Sequence, residues 1–248
     1  MATSKKTEQA VSKPAGAKRL TRRQLILRRF LRNRSAVVGL IFFAVIVFVA
    51  LFGNSLNQWG YTSIDPGKYL RAPDAVHWFG TNKQGRDVFA MTVEGLRKSI
   101  VIGLAVAAIQ TSIAVIVGAT AGYFGGWVDK VETWVIDLLL VIPSFLLIAI
   151  VSQKFSGDTS STLLFIALLS IFSWMMTARV VRSLTLSLKE LDYVTAAKYM
   201  SVPSLTIITR HILPNISSLL IVDFTLAVVS AVLSETSLSY FGFGIKDP

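Results

Sequence analysis

Five apolar runs in this sequence approach or reach the length that crosses a lipid bilayer. The first, residues 36–52, reads AVVGLIFFAVIVFVALF, and a hydrocarbon core of ~30 Å needs about 20 helical residues. The other four runs lie at residues 99–121, 131–151, 161–178 and 216–233. Composition agrees, since 53% of the 248 residues are apolar, 16% are charged and the mean hydropathy is +0.60. The sequence therefore predicts an all-α, polytopic helical bundle in a membrane.

The net charge of +11 is concentrated at the N-terminus. Eleven Lys or Arg residues and one Glu precede residue 36, and such an excess of positive charge beside a span predicts a cytoplasmic N-terminus. We expect residues 1–20 to be a disordered basic tail and residues 21–35 to form a basic amphipathic helix on anionic lipid. This placement favours a membrane surface over nucleic acid as the partner of these charges.

The segments between the runs follow from that orientation. Residues 53–98 form the longest polar excursion after the tail and are predicted to lie outside the cytoplasm, whereas residues 122–130 are predicted to be a short, turn-rich loop inside. Gly103 and Gly118 in the second run suit close packing of helices.

Two aspartates, Asp137 and Asp223, lie within the apolar runs. A charged group in a bilayer is costly, so each should face protein or water and is a functional-site hypothesis. For Asp137 the structural alternative is favoured: together with Pro143 it fixes a kink and a helix–helix hydrogen bond. The runs as delimited contain no Lys, Arg or His, which weakens the hypothesis of a proton-coupled carrier.

The stretch at residues 193–215, between the fourth and fifth runs, reads YVTAAKYMSVPSLTIITRHILPN. Its pattern predicts a helix, a tight bend and a second helix. Pro203 is tolerated near the first turn of the second helix, Ser201 is predicted to cap that helix, and Pro214 is predicted to end it. Asn215 is then placed to start the next helix.

The adjacent small residues Ala196 and Ala197 leave a low helix surface that another protein could approach closely. The alternative is an ordinary amphipathic connector between two membrane helices.

Several kinds of catalytic site are not indicated. The sequence has no G-x-x-x-x-G-K-[ST] phosphate loop, no H-E-x-x-H, no G-x-S-x-G and no cysteine, and its two histidines are predicted on opposite sides of the membrane. We therefore expect a chain that is not an enzyme and that binds no cofactor or metal of its own.

Four segments in order resemble one family of membrane proteins. They are HWFGTNKQGRDV at residues 77–88, GYFGGWVDK at 122–130, the elements Ala196-Ala197, Ser201 and RHILPN within 193–215, and ETSLSYFGFG at 235–244. The third segment, within residues 193–215, resembles the "EAA" loop of the permeases of binding-protein-dependent ABC importers. The set of four is similar to the DppC/OppC-type permease subunits of bacterial dipeptide and oligopeptide importers, the peptide/nickel family.

This resemblance implies a type I importer permease fold, termed MetI-like, in a bacterial cell membrane. It implies a permease core over residues 99–248, a cytoplasmic coupling loop over residues 179–215, and a sixth span beyond the five visible ones. The implied partners are a second permease, two cytoplasmic ATPases that bind ATP and Mg, an extracytoplasmic solute-binding protein and a peptide cargo.

The resemblance also assigns site residues. The coupling helix around residues 195–204 would lodge in a groove on an ATPase, with apolar docking by Ala196, Ala197, Val202 and Leu205. The coupling residues are Tyr193, Thr195, Ala196, Ala197, Lys198, Ser201, Val202, Pro203, Leu205, Arg210, His211 and Pro214. The extracytoplasmic motif residues are Phe79, Gly80, Thr81, Gly85, Arg86 and Asp87.

The sequence departs from the family pattern at four positions. Asn82 stands where the family usually has an acid, Thr195 where it often has Glu, and Ser201 where it has Gly. Capping by Ser201, together with Pro203, is therefore expected to build the bend instead. Trp134 stands where the family usually has a basic residue, so the resemblance alone does not imply an Arg–Asp pair with Asp137.

Two alternatives stay open. The same importer type could carry another cargo, such as a nickel chelate or glutathione, and a non-transporting membrane scaffold is a further alternative from a different class.

Overall fold

The computed structural model describes residues 28, 30–154 and 160–243. Of the predicted basic tail and amphipathic helix, residues 1–27 and 29 lie outside the described residues. From residue 34 onward the described residues form α1 (Arg34–Leu56), α2 (Val88–Phe124), α3 (Gly126–Val141), α4 (Ser144–Lys154), α5 (Ser160–Lys189), α6 (Asp192–Tyr199), α7 (Ser204–Ile207) and α8 (Leu213–Tyr240).

The predicted membrane bundle is confirmed. Among the described residues, four helical stretches are long and apolar enough to cross a bilayer, and the bent pair α3–α4 makes up to five. The chain forms two compact units, Met1–Val49 and Ala50–Pro248. In the first unit, the part of α1 up to Val49 exposes side chains such as Phe42 and Phe43, as expected of a helix surrounded by lipid.

The helices extend further than the apolar runs. α2 begins at Val88, because the Asp87 side chain accepts a hydrogen bond from the Ala90 N–H and so caps the helix. The predicted loop 53–98 therefore ends about three helical turns too far along the chain. The predicted loop 122–130 was wrong as well, since only Gly125 separates α2 from α3, with a φ of 66°.

Glycines set the closest helix contacts. A Cβ on Gly118 would lie 2.4 Å from the Ala178 carbonyl oxygen of α5, and one on Gly122 would lie 2.7 Å from the Arg182 carbonyl oxygen. Glycines four residues apart let two helix backbones approach closely in a membrane. Gly103 does the same for α8, where a Cβ would lie 3.0 Å from Val232, so the predicted packing role of Gly103 and Gly118 is confirmed.

The third apolar run is a broken helix. α3 and α4 meet at an angle of 68°, and the break falls at Ile142 and Pro143. Proline has no N–H and collides with the preceding turn, so it ends a helix just before itself. The predicted kink at Pro143 is confirmed.

Candidate functional site

The segment from Asp192 to Asn215, which we call the elbow, joins α5 to α8. It contains α6, a turn at residues 200–203, α7, a five-residue π-helical turn (Ile208–Ile212) and the start of α8. The predicted helix–bend–helix order is present.

The bend is a Schellman motif with Ser201 at its left-handed position. Ser201 has a φ of 57°, its N–H donates to the Lys198 carbonyl at 3.0 Å, and the Val202 N–H donates to the Ala197 carbonyl at 3.2 Å. These are the two hydrogen bonds that define the motif. The predicted capping by Ser201 was wrong: no side-chain hydrogen bond caps α7, and Ser201 instead adopts the backbone conformation that glycine favours.

Pro214 does not end the second helix, contrary to prediction. α7, the π turn and α8 form one continuous helical stretch, Ser204–Tyr240, and Pro214 lies in the first turn of α8. A proline inside an α-helix collides with the carbonyl four residues earlier. The π turn just before it widens the backbone and accommodates the ring.

The inner face of the elbow is anchored by an apolar cluster. Its members Val194, Ala197, Ile207, Ile208, Ile212 and Ile216 pack with Ala119 of α2 and Val181 of α5. Ala197 is only 9% exposed, so the predicted direct docking by Ala197 does not fit its place inside the chain. Val202 is half-buried against the same cluster.

The outer face of the elbow carries large apolar side chains that are mostly exposed. Tyr199 is 86% exposed, Met200 78% and Leu205 72%. The predicted docking residue Leu205 is thus available, as are Ala196, Lys198, Pro203 and Arg210. Tyr199 and Met200 directly precede Ser201, but neither has a family motif that marks it in the sequence.

A polar contact closes the base of the elbow. The Asn215 amide nitrogen donates to the Tyr193 hydroxyl at 3.0 Å and to the His211 carbonyl at 2.6 Å. Asn215 was predicted to start a new helix. Instead it lies within the first turn of α8 and connects α6 to that turn through its side-chain hydrogen bonds.

A groove of about 820 Å³ lies between the elbow and the end of α2. The groove residues are Tyr123, Phe124, Lys189, Glu190, Val194, Thr195, Lys198, Tyr199, Val202 and Ser204. Lys189 fixes one wall by donating to the Gly122 carbonyl at 2.8 Å.

At the other end of α2, residues 57–87 fold around a buried histidine. His77 Nδ1 lies 2.8 Å from an Asp87 carboxylate oxygen, and its Nε2 lies 3.2 Å from Asp65. Burial disfavours the charged imidazolium, but the hydrogen bonds to Asp87 and Asp65 outweigh it and raise the pKa of His77. We call His77, Asp65 and Asp87 the histidine cluster, and sequence reasoning missed it because Asp65 is twelve residues from His77.

The motif residues that were predicted to be extracytoplasmic form the frame of this loop. Gly80 has a φ of 73°, and a Cβ there would lie 2.2 Å from the Arg71 carbonyl oxygen, so no other residue fits. Thr81 donates to the Lys68 carbonyl at 2.6 Å. A Cβ on Gly85 would lie 2.9 Å from the Asp65 carbonyl oxygen.

The remaining motif residues complete that frame. Phe79 packs edge-on against Phe89, and Arg86 pairs with Ile64 in an isolated antiparallel bridge. The Asn82 side-chain oxygen accepts from the Gln84 and Arg86 N–H groups at 2.8 and 3.0 Å, a role that the family's usual acid could also fill.

Charged groups in the helices are paired across helices. Asp137 contacts Arg179 of α5, and Asp223 accepts from Thr177 at 3.0 Å. The sequence did not indicate this arginine partner of Asp137, because the basic residue comes from α5 and not from α3.

A further pair was missed altogether. Arg182 binds Asp129 through two nitrogens, with Nη2 2.6 Å from Asp129 Oδ2. The fourth run was ended at Ala178, which placed both arginines outside the spans, whereas α5 continues to Lys189.

Comparison with known families decides what this architecture is. Residues 114–246 match the family described as "Binding-protein-dependent transport system inner membrane component". The chain belongs to this family. Residues 21–73 also match the N-terminal transmembrane domain of oligopeptide transport permease C.

Named permeases of the family align with most of the chain. The oligopeptide transport system permease protein OppC of Mycobacterium tuberculosis is 46% identical over 228 residues, covering 92% of this chain and 78% of that protein. Bacillus subtilis OppC is 32% identical over 246 residues, 97% of this chain and 80% of its own length. The dipeptide permease DppC of Alkalihalophilus pseudofirmus is 33% identical over 217 residues, 88% and 70% of the two chains. The chain is therefore a multi-pass membrane permease of the OppC/DppC type.

Proposed function

We propose that this chain is one of two permease subunits of an ATP-driven importer for peptides, and that the elbow couples it to the ATPases. The relatives named above are oligopeptide and dipeptide permeases, which supports peptide as the cargo. The proposed assembly adds a second permease, two cytoplasmic ATPases that hold ATP and Mg, and an extracytoplasmic solute-binding protein. This chain would supply no ATPase site of its own.

The observation that carries the proposal is the contrast between the two faces of the elbow. Its inner face is anchored on α2 and α5 through buried Val194, Ile207 and Ile212. Its outer face presents Tyr199 and Met200, whose side chains are mostly exposed and contact little of the rest of the chain. A protruding apolar surface of this kind fits a pocket on a partner protein.

Anchoring explains how the elbow could transmit force. A contact that moves Tyr199 and Met200 also moves the cluster behind them, and hence the ends of α2, α5 and α8. ATP would shift the permease between conformations only if the ATPases bind the elbow differently in their two states. In this proposal the elbow faces the cytoplasm, as does the N-terminus.

Crosslinking tests the contact directly, because the chain has no cysteine of its own. Met200→Cys, paired with single cysteines in the ATPase, should form disulfide crosslinks in the assembled transporter. Gly95→Cys on α2, far along the chain from the elbow, is the control and should form none. Crosslinking equal to that control would refute the coupling role of the elbow.

Transport provides the second test. Met200→Glu should reduce ATP-driven peptide uptake into vesicles by at least tenfold while the chain still assembles with the second permease, because a charge replaces an apolar anchor. Ala197→Glu is expected to fail differently, through loss of folded protein, because Ala197 is buried. Normal uptake by Met200→Glu would contradict the proposal, and mass spectrometry of the ligand on the co-purified solute-binding protein identifies the cargo.

A further inference from the structure

Both ring nitrogens of His77 lie against carboxylates. Nδ1 is 2.8 Å from an Asp87 oxygen, and Nε2 is 3.2 Å from an Asp65 oxygen. A neutral imidazole has one N–H donor and one bare nitrogen, whereas the imidazolium donates from both nitrogens. A neutral ring would therefore turn a lone pair toward one of the two carboxylates. This geometry suits only a His77 that is protonated on both nitrogens and carries a positive charge.

The charge on His77 is enclosed by acids. The side chains of His77 and Asp87 are fully buried, and that of Asp65 is 14% exposed. A third carboxylate, Asp74, accepts from the His77 N–H at 2.6 Å and acts on the ring electrostatically. Lys68 binds Asp65 at 3.0 Å. In the described part of the chain, removal of the His77 proton thus leaves buried Asp87 without a cation, which protein interiors tolerate poorly.

Asp87 connects this charge to two helices. One carboxylate oxygen of Asp87 accepts from the Ala90 N–H at 2.7 Å and from the Asn57 amide at 2.9 Å, and the other faces His77. Ala90 lies in the first turn of α2, and Asn57 directly follows α1. The histidine cluster therefore fastens the end of α1 to the start of α2, and a single buried carboxylate holds both.

α2 runs from this cluster to the elbow. The helix has 37 residues, which correspond to about 55 Å. Near its other end Ala119 belongs to the apolar cluster behind the elbow, and Gly118 and Gly122 pack tightly against α5. A change at the start of α2 is thus placed to alter the helix that anchors the elbow.

We propose that the histidine cluster is a proton-dependent latch on transport. While His77 is charged, the latch holds α1 and α2 in the arrangement that supports uptake. When the ring loses its second proton to water at alkaline pH, the latch opens and uptake slows. The effect on uptake rests on the proposed function, and the pH concerned is that on the side of the membrane where residues 57–87 lie.

The sign of the pH dependence follows from the surroundings of the ring. Burial opposes the charge on His77, but the hydrogen bonds to Asp87 and Asp65 outweigh burial and raise its pKa. The closed latch is therefore complete below the ordinary histidine pKa of about 6.5, and it is lost as pH rises through the raised pKa.

Two substitutions separate the latch from other sources of pH dependence. In Asp65→Asn the new amide can donate to Nε2, so a neutral ring satisfies both neighbours by donating from Nδ1 to Asp87 and accepting at Nε2. This variant should keep the latch closed without the second proton. His77→Gln is the opposite case, because glutamine carries no charge at any pH and should leave the latch open throughout.

Nitrogen NMR of the histidine rings measures the charge directly in the assembled transporter. The spectrum of His77→Gln supplies the signal of the other histidine for subtraction. The wild-type His77 ring should be doubly protonated at about pH 7, and in Asp65→Asn it should lose its second proton at a lower pH than in the wild type. A wild-type ring that is already neutral at about pH 7 would overturn the proposal.

Uptake tests the consequence for transport. Vesicles with residues 57–87 outside and ATP and Mg inside take up radiolabelled trialanine, with the inner pH held constant. Raising the outer pH from about 6 to about 9 should slow wild-type uptake about threefold or more, change Asp65→Asn little, and leave His77→Gln slow at both values. A parallel decline in wild type and Asp65→Asn would assign the pH dependence to another subunit and overturn the latch. Equal wild-type uptake at both values would overturn it as well.

The two proposals fail in different ways. If no variant takes up trialanine at any pH, the proposed function fails for this peptide, and the latch is still decided by the ring NMR and by hydrogen exchange. At equal alkaline pH, the Ala90 N–H should exchange more slowly in Asp65→Asn than in His77→Gln, because only the first keeps Asp87 in place. Equal exchange would show that the charge on His77 does not hold the start of α2.

Discussion

Replacing Ser201 with glycine should stabilise the elbow. An L-residue in the left-handed region costs roughly 1–2 kcal/mol, which glycine avoids. Glycine in turn loses more freedom on folding, a cost of about 0.5–1 kcal/mol. No hydrogen bond of the Ser201 side chain offsets this in the described part of the chain, so we expect a net gain of about 0.5–1 kcal/mol.

Amide hydrogen exchange measures this gain at the bend itself. The Val202 N–H is protected by its bond to Ala197, and a gain of about 0.5–1 kcal/mol corresponds to roughly two- to fivefold slower exchange. Ser204→Gly is the matched control, because Ser204 begins α7 without a positive φ and glycine there should speed exchange. Exchange in Ser201→Gly that is unchanged or faster would show that the left-handed strain is not real.

Three further perturbations follow from the structure. Because the folded loop raises the pKa of His77, its stability should be highest below about pH 6.5 and fall as pH rises through the raised pKa; hydrogen exchange against pH checks this, and His77→Gln should flatten the profile. Gly118→Ala should cost about 1–3 kcal/mol in thermal unfolding, whereas Gly95→Ala, with open space around it, should stabilise by about 0.5–1 kcal/mol; equal effects would contradict the helix contact. Arg182→Gln should destabilise the chain by about 1–2 kcal/mol more than the double variant with Asp129→Asn, because the single change leaves a carboxylate without its partner; additive effects in a double-mutant cycle would rule that pair out.

The apolar runs predicted the helices well but not where they end. Arg179, Arg182 and Asp129 are polar in the sequence, and a hydropathy argument places such residues outside the bilayer. In the structure, partners on another helix compensate these charges. A hydropathy pattern contains no information about such partners. Each predicted apolar run therefore ends before the corresponding helix does, on the side where charged residues occur.

Local chemistry was predicted where a single residue decides it. Pro143 breaks a helix in any context, and the kink was expected. The conformations of Ser201 and Pro214 depend on neighbours, namely the half-buried Val202 behind the bend and the π turn before the proline. Ala197 shows the same limit, because a small residue suits a docking surface and a tight core equally well.

The π turn before α8 amounts to one inserted amino acid. Such a turn holds one residue more than the α-helical turn it replaces, and one residue corresponds to ~100° of rotation and 1.5 Å of rise. Deleting a residue between Ile208 and Ile212 would restore a regular helix at the expense of turning all of Leu213–Tyr240 by more than a quarter of a circle. The angular setting of the last described membrane helix thus depends on a local irregularity of five residues.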